Sequence, residues 1–351
     1  MEFDFKFCEP DFEKFAAVIR GDKMPSKVHL FEHEIDEPFQ RSLFSELSDF
    51  DFDTDAIGRI RQDIEFRYLA GYDCATLWGS FQNNITVRPL AKEERTWAQE
   101  GSGVISSRKD FESIDWDKIR PDERIGEVYR VNLKPGMRCV MCSPLWHKVM
   151  DVLLGHNNLF MKVIEEPNLV KDIIDAWGEK VYAFYSTYIG EDFVGGIFHG
   201  DDLGHKTGTL IRPSIIRAML VPWFKRFSDL AHGKGKIFLL HSCGNIYSLI
   251  EDFIEDVGID AFHSFQDTIL PVTEFKRNYG KRIGVLGGVD VDKLARMKEE
   301  ELRSYLRGIL EICMEGGRYA FGSGNSVTDY IPVKNYLIFL EEAKRFSQLL
   351  R

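Results

Sequence analysis

Three shortages narrow the field before any motif is read. No stretch approaches the ~20 consecutive apolar residues that a membrane-spanning helix needs. Basic residues are outnumbered, 45 against 56 acidic ones, for a net charge of -11, and they form no cluster. Nucleic acid and anionic membrane surfaces, which call for a basic face, are therefore excluded as main partners. Cysteine is sparse and unframed: Cys8, Cys74, Cys139, Cys142, Cys243 and Cys313 are scattered over 351 residues. That usage points to a reduced, cytoplasmic protein rather than a disulfide scaffold. The opening MEFDFKFCEPDFEKF is charged throughout and does not read as a secretion signal.

What is present is a regular alternation. Eight short apolar runs punctuate the chain: KVHLFEHE (27–34), YDCATLWG (72–79), MRCVMCSP (137–144), VGGIFHGDD (194–202), KIFLLHSCG (236–244), IDAFHSFQ (259–266), RIGVLGGVD (282–290) and GRYAFGSGN (317–325). Several are apolar on both faces, as strands of a helix-covered parallel sheet must be. Between them lie segments of helical period, including PNLVKDIIDAWGEKVYAFYSTYIG, PSIIRAMLVPWFKRFSDLAHGKG and the closing PVKNYLIFLEEAKRFSQLL. The pattern predicts one α/β domain over 1–351, a (β/α)8 TIM barrel. It has an N-terminal helical extension (1–26, helical from 10 to 21) and an insertion of about 81–136 between strands two and three. That insertion is expected to end in a hairpin-like stretch, GEVYRVNLKPGMR. The rival, an open doubly wound sheet, would carry a glycine-rich phosphate loop after its first strand, and FEHEIDEPF has no glycine.

Barrel chemistry sits where strands end, and here those ends are crowded with polar groups. FLLHSCGN (238–245) is the most pointed case. His241 and Cys243 stand two apart on a strand, so they share a face, and both ligate borderline-soft metals. Glu32 and Glu34 share another face, with His33 opposite, and two carboxylates turned into a mouth ask for a metal or a partner. Asp201 and Asp202 are the candidate catalytic pair, one of them also suited to cap the next helix. Trp78, His199, Gln266 and Asn325 complete the candidate substrate contacts; Trp78 would equally serve as a pocket wall and His199 as a hydrogen-bonded core residue. Cys139 and Cys142, three apart on a strand, point to opposite faces and share no metal.

GDDLG (200–204), followed by LIRPSIIRAMLVPWFKRF and FLLHSCGN, resembles the uroporphyrinogen decarboxylase superfamily, and within it the corrinoid-dependent methyltransferase branch. GIDAFHSFQ, RIGVLGGVD and GSGNSVTDYIPVKN stand where that family has its last three strands. The resemblance implies a TIM barrel and a zinc ion held by His241 and Cys243. It also implies a methyl group exchanged between a small substrate and a corrinoid (cobalamin-type) cofactor on a partner protein. The branch's later cysteine is replaced here at or near Asn325 and an acidic residue by Gln266, so a carboxylate (Glu32, Glu34, Asp201 or Asp202) would complete the shell, an arrangement suited to an ether or amine donor. The decarboxylase branch places arginines after its first strand to hold a tetrapyrrole's carboxylates; this chain has Glu32, His33, Glu34 and Asp36 there. Decarboxylation of a tetrapyrrole or smaller acid, and a non-catalytic corrinoid- or metabolite-binding barrel, are the alternatives.

Overall fold

The computed structural model describes residues 8–47, 55–86 and 103–350. Seven strands form one parallel sheet in chain order: β1 (Cys74–Trp78), β2 (Arg138–Cys142), β3 (Val194–Asp201), β4 (Ile237–Ser242), β5 (Ala261–His263), β6 (Gly284–Leu286) and β7 (Tyr319–Ala320). Each falls inside one of the apolar runs. Every residue of β3 and of β4 is buried, as a sheet sandwiched between a packed interior and a helical coat requires.

The remaining stave, the first in the chain, is the run at 27–34, and it is less regular than a full strand. It lies parallel to the last stave through isolated bridges, Leu30 to Phe321 and Ile35 to Val327. Phe31 N–H donates to Phe321 O at 2.9 Å and Phe321 N–H to His29 O at 2.8 Å. On its other side side chains replace the ladder: Arg67 Nη1 donates to Glu32 O at 3.1 Å and Thr76 Oγ1 to His33 O at 3.4 Å. The carbonyls that a strand would offer to β1 are thus satisfied without one, and the sheet curls into a TIM barrel.

The predicted N-terminal helix is α1 (Phe12–Arg20), started by Asp11, whose carboxylate accepts from Lys14 N–H at 3.1 Å, and stopped by left-handed Gly21. It is a stopper rather than an appendage. Phe12, Phe15, Ala16 and Ile19 join Phe31, Val140, Phe198, Leu239, Ala261 and Leu286 in a single buried cluster inside the barrel. Burying two phenylalanines and an isoleucine there is worth roughly 5 kcal/mol or more before chain entropy is subtracted. Phe12 sits so close to β3 that a Cβ on Gly195 would lie 2.1 Å from its ring.

Two expectations about helices change. The stretch 126–138 is not a hairpin: α2 (Glu123–Asn132) runs through it, capped by Asp122. Gly126 and Tyr129 are its buried pair at helical spacing, and Tyr129 Oη donates to Thr76 O at 2.6 Å, which ties the helix to β1. Before it, Phe81–Gln82 pairs antiparallel with Arg120–Pro121; residues 87–102 of the predicted insertion lie outside the described residues. The segment opening at Pro213 is two helices, Pro213–Met219 and Val221–His232, because Pro222 has no N–H to continue the ladder. No helix among the described residues is long and apolar enough to cross a membrane.

Candidate functional site

Leu239 belongs to the barrel interior, so the period of two aims His241 inward one layer higher. The cavity above it, about 980 Å³, is lined by His33, Glu34, Asp202, His241, Cys243, Gln266 and Asn325, among others.

The surroundings of His241 decide where its proton sits. His263, at the end of β5, pairs with His241 in register, and their Nδ1 atoms are 2.6 Å apart. His263 Nε2 lies 3.3 Å from the carbonyl oxygen of Ser323, which can only accept. His263 Nε2 therefore carries a hydrogen, His263 Nδ1 accepts, and His241 Nδ1 donates. The lone pair of His241 is left on Nε2, 3.4 Å from Cys243 Sγ and 3.9 Å from Asp202 Oδ1. Burial, reinforced by His33, keeps both rings neutral: His241 is held well below the usual histidine range and His263 is lowered to about 3.

Asp202, His241 and Cys243 each offer one donor atom, and these atoms all lie within 4.8 Å of one another. Carboxylate, imidazole and sulfur make a donor set that suits zinc, and a hydrogen bond on the far nitrogen of a ligating histidine is the usual way its tautomer is fixed. Burial first, then the charge of Asp202, pushes the Cys243 thiol up; a dication beside it would reverse that. Asn325, in place of the expected cysteine, donates from Nδ2 to Cys243 Sγ at 3.3 Å. The residues fit a zinc ion.

Asp202 is oriented from outside the cluster. His147 Nδ1 lies 3.3 Å from Asp202 Oδ2, and His147 Nε2 lies 2.7 Å from Asp151 Oδ2. Hydrogen bonds to Asp151 and then Asp202 raise His147 to about 10, making it an imidazolium between two carboxylates. Asp151 is shared with His156 Nε2 at 2.8 Å.

Three predicted residues take other places. Glu32, expected on the metal, is turned out of the barrel: it accepts from Ser323 N–H at 2.7 Å and Ser323 Oγ at 2.5 Å, both its oxygens engaged. Burial raises its carboxyl to about 7. The face aimed at the mouth belongs to His33, whose ring lies 4.3 Å from that of His241. His199 faces the helical coat, against Phe224 and Phe227, with Nδ1 3.0 Å from Tyr185 Oη and Nε2 3.0 Å from Asp201 Oδ2. Asp201 faces outward too and caps not the helix that follows it but the turn after the neighbouring β2, accepting from the N–H groups of Leu145, Trp146 and His147 at 3.3, 3.0 and 2.9 Å. Glu34 and Gln266 are exposed on the cavity wall. Trp78 is at the rim, 37% exposed, its ring 5.4 Å from His33. Cys142, on the inward face, lies near Gly200, while Cys139 joins the outer core.

His33, His147 and His263 are the functional neighbours that sequence reasoning did not assign. His33 and His263 stand at strand ends within the apolar runs, a signal that strand parity would have sharpened. His147 starts the helix after β2, and nothing in WHKVM marks it.

A search of curated proteins finds no match. Among solved structures, a methyltransferase from Methanosarcina mazei superposes with a TM-score of 0.68 at 15% identity, covering 98% of this chain and 99% of that one. A structural-genomics target from Listeria monocytogenes described as a vitamin-B12-independent methionine synthase has a TM-score of 0.46 at 10% identity, covering 91% and 96%. The first of these bears on the fold alone. The family model described as uroporphyrinogen decarboxylase matches residues 147–346. That span takes in β3 to β7, the Asp202–His241–Cys243 cluster and more than half of the sequence: the chain belongs to the uroporphyrinogen decarboxylase family.

Proposed function

We propose that this protein is an enzyme, a methyltransferase that moves a methyl group between a small substrate and a corrinoid carried by a partner protein, with zinc held by Asp202, His241 and Cys243. One observation carries the reading: a hydrogen-bond chain from the Ser323 carbonyl through His263 leaves the His241 lone pair facing a carboxylate and a thiol at the foot of a cavity. Zinc, when bound, supplies a positive centre that steadies charge developing on a heteroatom of donor or acceptor.

The chain's own groups do the positioning. His263 sets the tautomer and angle of His241, His147 holds the Asp202 carboxylate, and Asn325 Nδ2 supports the sulfur. The Gln266 amide at the wall offers a donor and an acceptor to the substrate, and His33 adds an aromatic face, with Trp78 tilted against it at the rim. A space of about 980 Å³ leaves room for a small donor beside an approaching corrinoid. The lining speaks against an octacarboxylate tetrapyrrole, since its acids outnumber its Lys and Arg. The six free cysteines support a reducing, cytoplasmic setting.

The test is metal analysis of protein purified without chelator, followed by methyl transfer to an added corrinoid protein read from the cobalt spectrum. Zinc near one equivalent that vanishes in Cys243→Ala, together with transfer, supports the reading. Well-folded wild type that holds no zinc and methylates no corrinoid ends it.

A further inference from the structure

The charges around the cavity are not balanced, and the imbalance has a direction. Its lining contains Glu34, Asp36, Asp202, Asp267, Asp290 and Asp292, against two strong bases, Lys293 and Arg296. Both bases are already engaged: Lys293 Nζ lies 2.7 Å from Asp267 Oδ2, and Arg296 Nε lies 2.8 Å from Asp292 Oδ1. Asp290 is used as a helix cap and accepts from the N–H groups of Lys293 and Asp267. Asp202 belongs to the metal cluster, and a zinc dication would be offset there by one carboxylate and one thiolate.

Glu34 and Asp36 remain. Asp36 Oδ2 accepts one backbone N–H, from Asp329 at 3.3 Å, and no ion pair to either carboxylate is found among the described residues. Arg67, the cation behind them, is committed to Asp63 at 2.8 Å and to the Glu32 carbonyl. Partial desolvation at the cavity wall first, then the charge of Asp36, raises the Glu34 carboxyl, and the pull of Arg67 from behind offsets only part of this. Aromatic surface accompanies them: Tyr330, 63% exposed, lines the same cavity, and Trp78 stands beside His33 at its edge. His33, also on the wall, has a buried Nδ1 with no hydrogen-bond partner. Carboxylates without counter-ions beside open π faces are the surroundings that hold quaternary and other methylated ammonium ions.

We propose that the substrate taken by this cavity is a small cation, a methylated ammonium compound, selected by Glu34 and Asp36 over neutral and anionic methyl donors of the same shape. The inference rests on the methyltransferase reading and names its substrate class. Each carboxylate, placed near a bound cation in a partly wet cavity, is worth roughly tenfold in affinity.

Three isosteres differing in charge test it on the metal-loaded protein by titration calorimetry: choline, 3,3-dimethylbutan-1-ol and 3,3-dimethylbutanoate. Choline is expected to bind at least about tenfold more tightly than the alcohol, and the carboxylate not measurably. Glu34→Gln and Asp36→Asn should each weaken choline about threefold to tenfold and leave the alcohol unchanged. The double variant should lose the preference. Both positions line open space, and circular dichroism checks that the variants are folded. The inference is overturned if choline does not bind, if the alcohol or carboxylate binds as well, or if the preference survives in the double variant. Zinc retention with methyl transfer from a neutral donor would sink this inference and leave the methyltransferase reading standing. A choline preference in protein that binds no zinc and methylates no corrinoid would do the reverse.

Discussion

Two neighbouring strands end in a histidine followed two residues later by another metal-capable side chain: His199 and Asp201 on β3, His241 and Cys243 on β4. The register places Gly200, not His199, opposite His241, and Asp201 opposite Ser242. The pairs therefore face opposite sides of one sheet. On β3 the imidazole and carboxylate bond to each other, to Tyr185 and to a helix start. At the end of β4 the imidazole and the thiol look into the cavity with Asp202. A single step of parity separates scaffold from candidate chemistry, and the first stave repeats the lesson with outward Glu32 and inward His33.

The contrast can be broken most severely on the β4 side. Cys243→Ala or His241→Ala should abolish stoichiometric zinc and methyl transfer; the melting temperature of the metal-free protein should barely move for Cys243→Ala but fall for His241→Ala, which removes a buried ring and its hydrogen bond to His263, and metal analysis beside calorimetry reads both. If zinc persists in both variants, the inward pair is not a ligand pair. The outward carboxylate of the first stave should respond to pH instead. Glu32 is raised to about 7 in the fold, so its contribution is complete below the ordinary carboxyl pKa, near 4.5, and is lost as pH climbs through about 7. Roughly 3 kcal/mol is involved. Denaturant melts from pH 5 to 8 should show that decline in wild type and a flatter profile in Glu32→Gln.

How far could this asymmetry be read from the amino acids? The eight apolar runs located every stave, and the i, i+2 spacing on FLLHSCGN put His241 and Cys243 on a common face. Parity was the missing quantity. A strand such as VGGIFHGDD, buried on both sides, has no polar–apolar alternation to show which residues look inward. His199 and Asp201 therefore read as site residues until the register with β4 was known. In FEHE the acidic residues drew attention and His33, the inward one, did not. His147 and Asp151 come from a helix distant in sequence, and their approach to Asp202 follows from the pairing of β2 with β3, which sets the two strand ends side by side.

The β3 side should answer through stability. Asp201→Ala strips three backbone N–H groups of their acceptor and should cost about 2 kcal/mol in chemical denaturation while leaving zinc content intact. Loss of zinc with unchanged stability would reverse the assignment. A sharper probe lies one bond from the cluster: His263→Leu removes the acceptor that sets the His241 tautomer and should weaken zinc about tenfold to a hundredfold without unfolding the barrel. The smallest expected effect is that of His199→Phe, about 1 kcal/mol from two lost hydrogen bonds partly offset by apolar contact with Phe224 and Phe227. Methyl transfer measured at saturating zinc should stay near the wild-type rate.

The helix lodged in the barrel's lower end also governs traffic. With Phe12, Phe15 and Ile19 filling that end, the described chain offers one doorway to His241, and whatever enters must back out the way it came. A bulky cobalt carrier resting on that doorway would trap the small reactant beneath it. Under the proposed reading, such a layout would impose a turnstile order of events, small molecule first and carrier second, with release of the spent molecule waiting for the carrier to lift away.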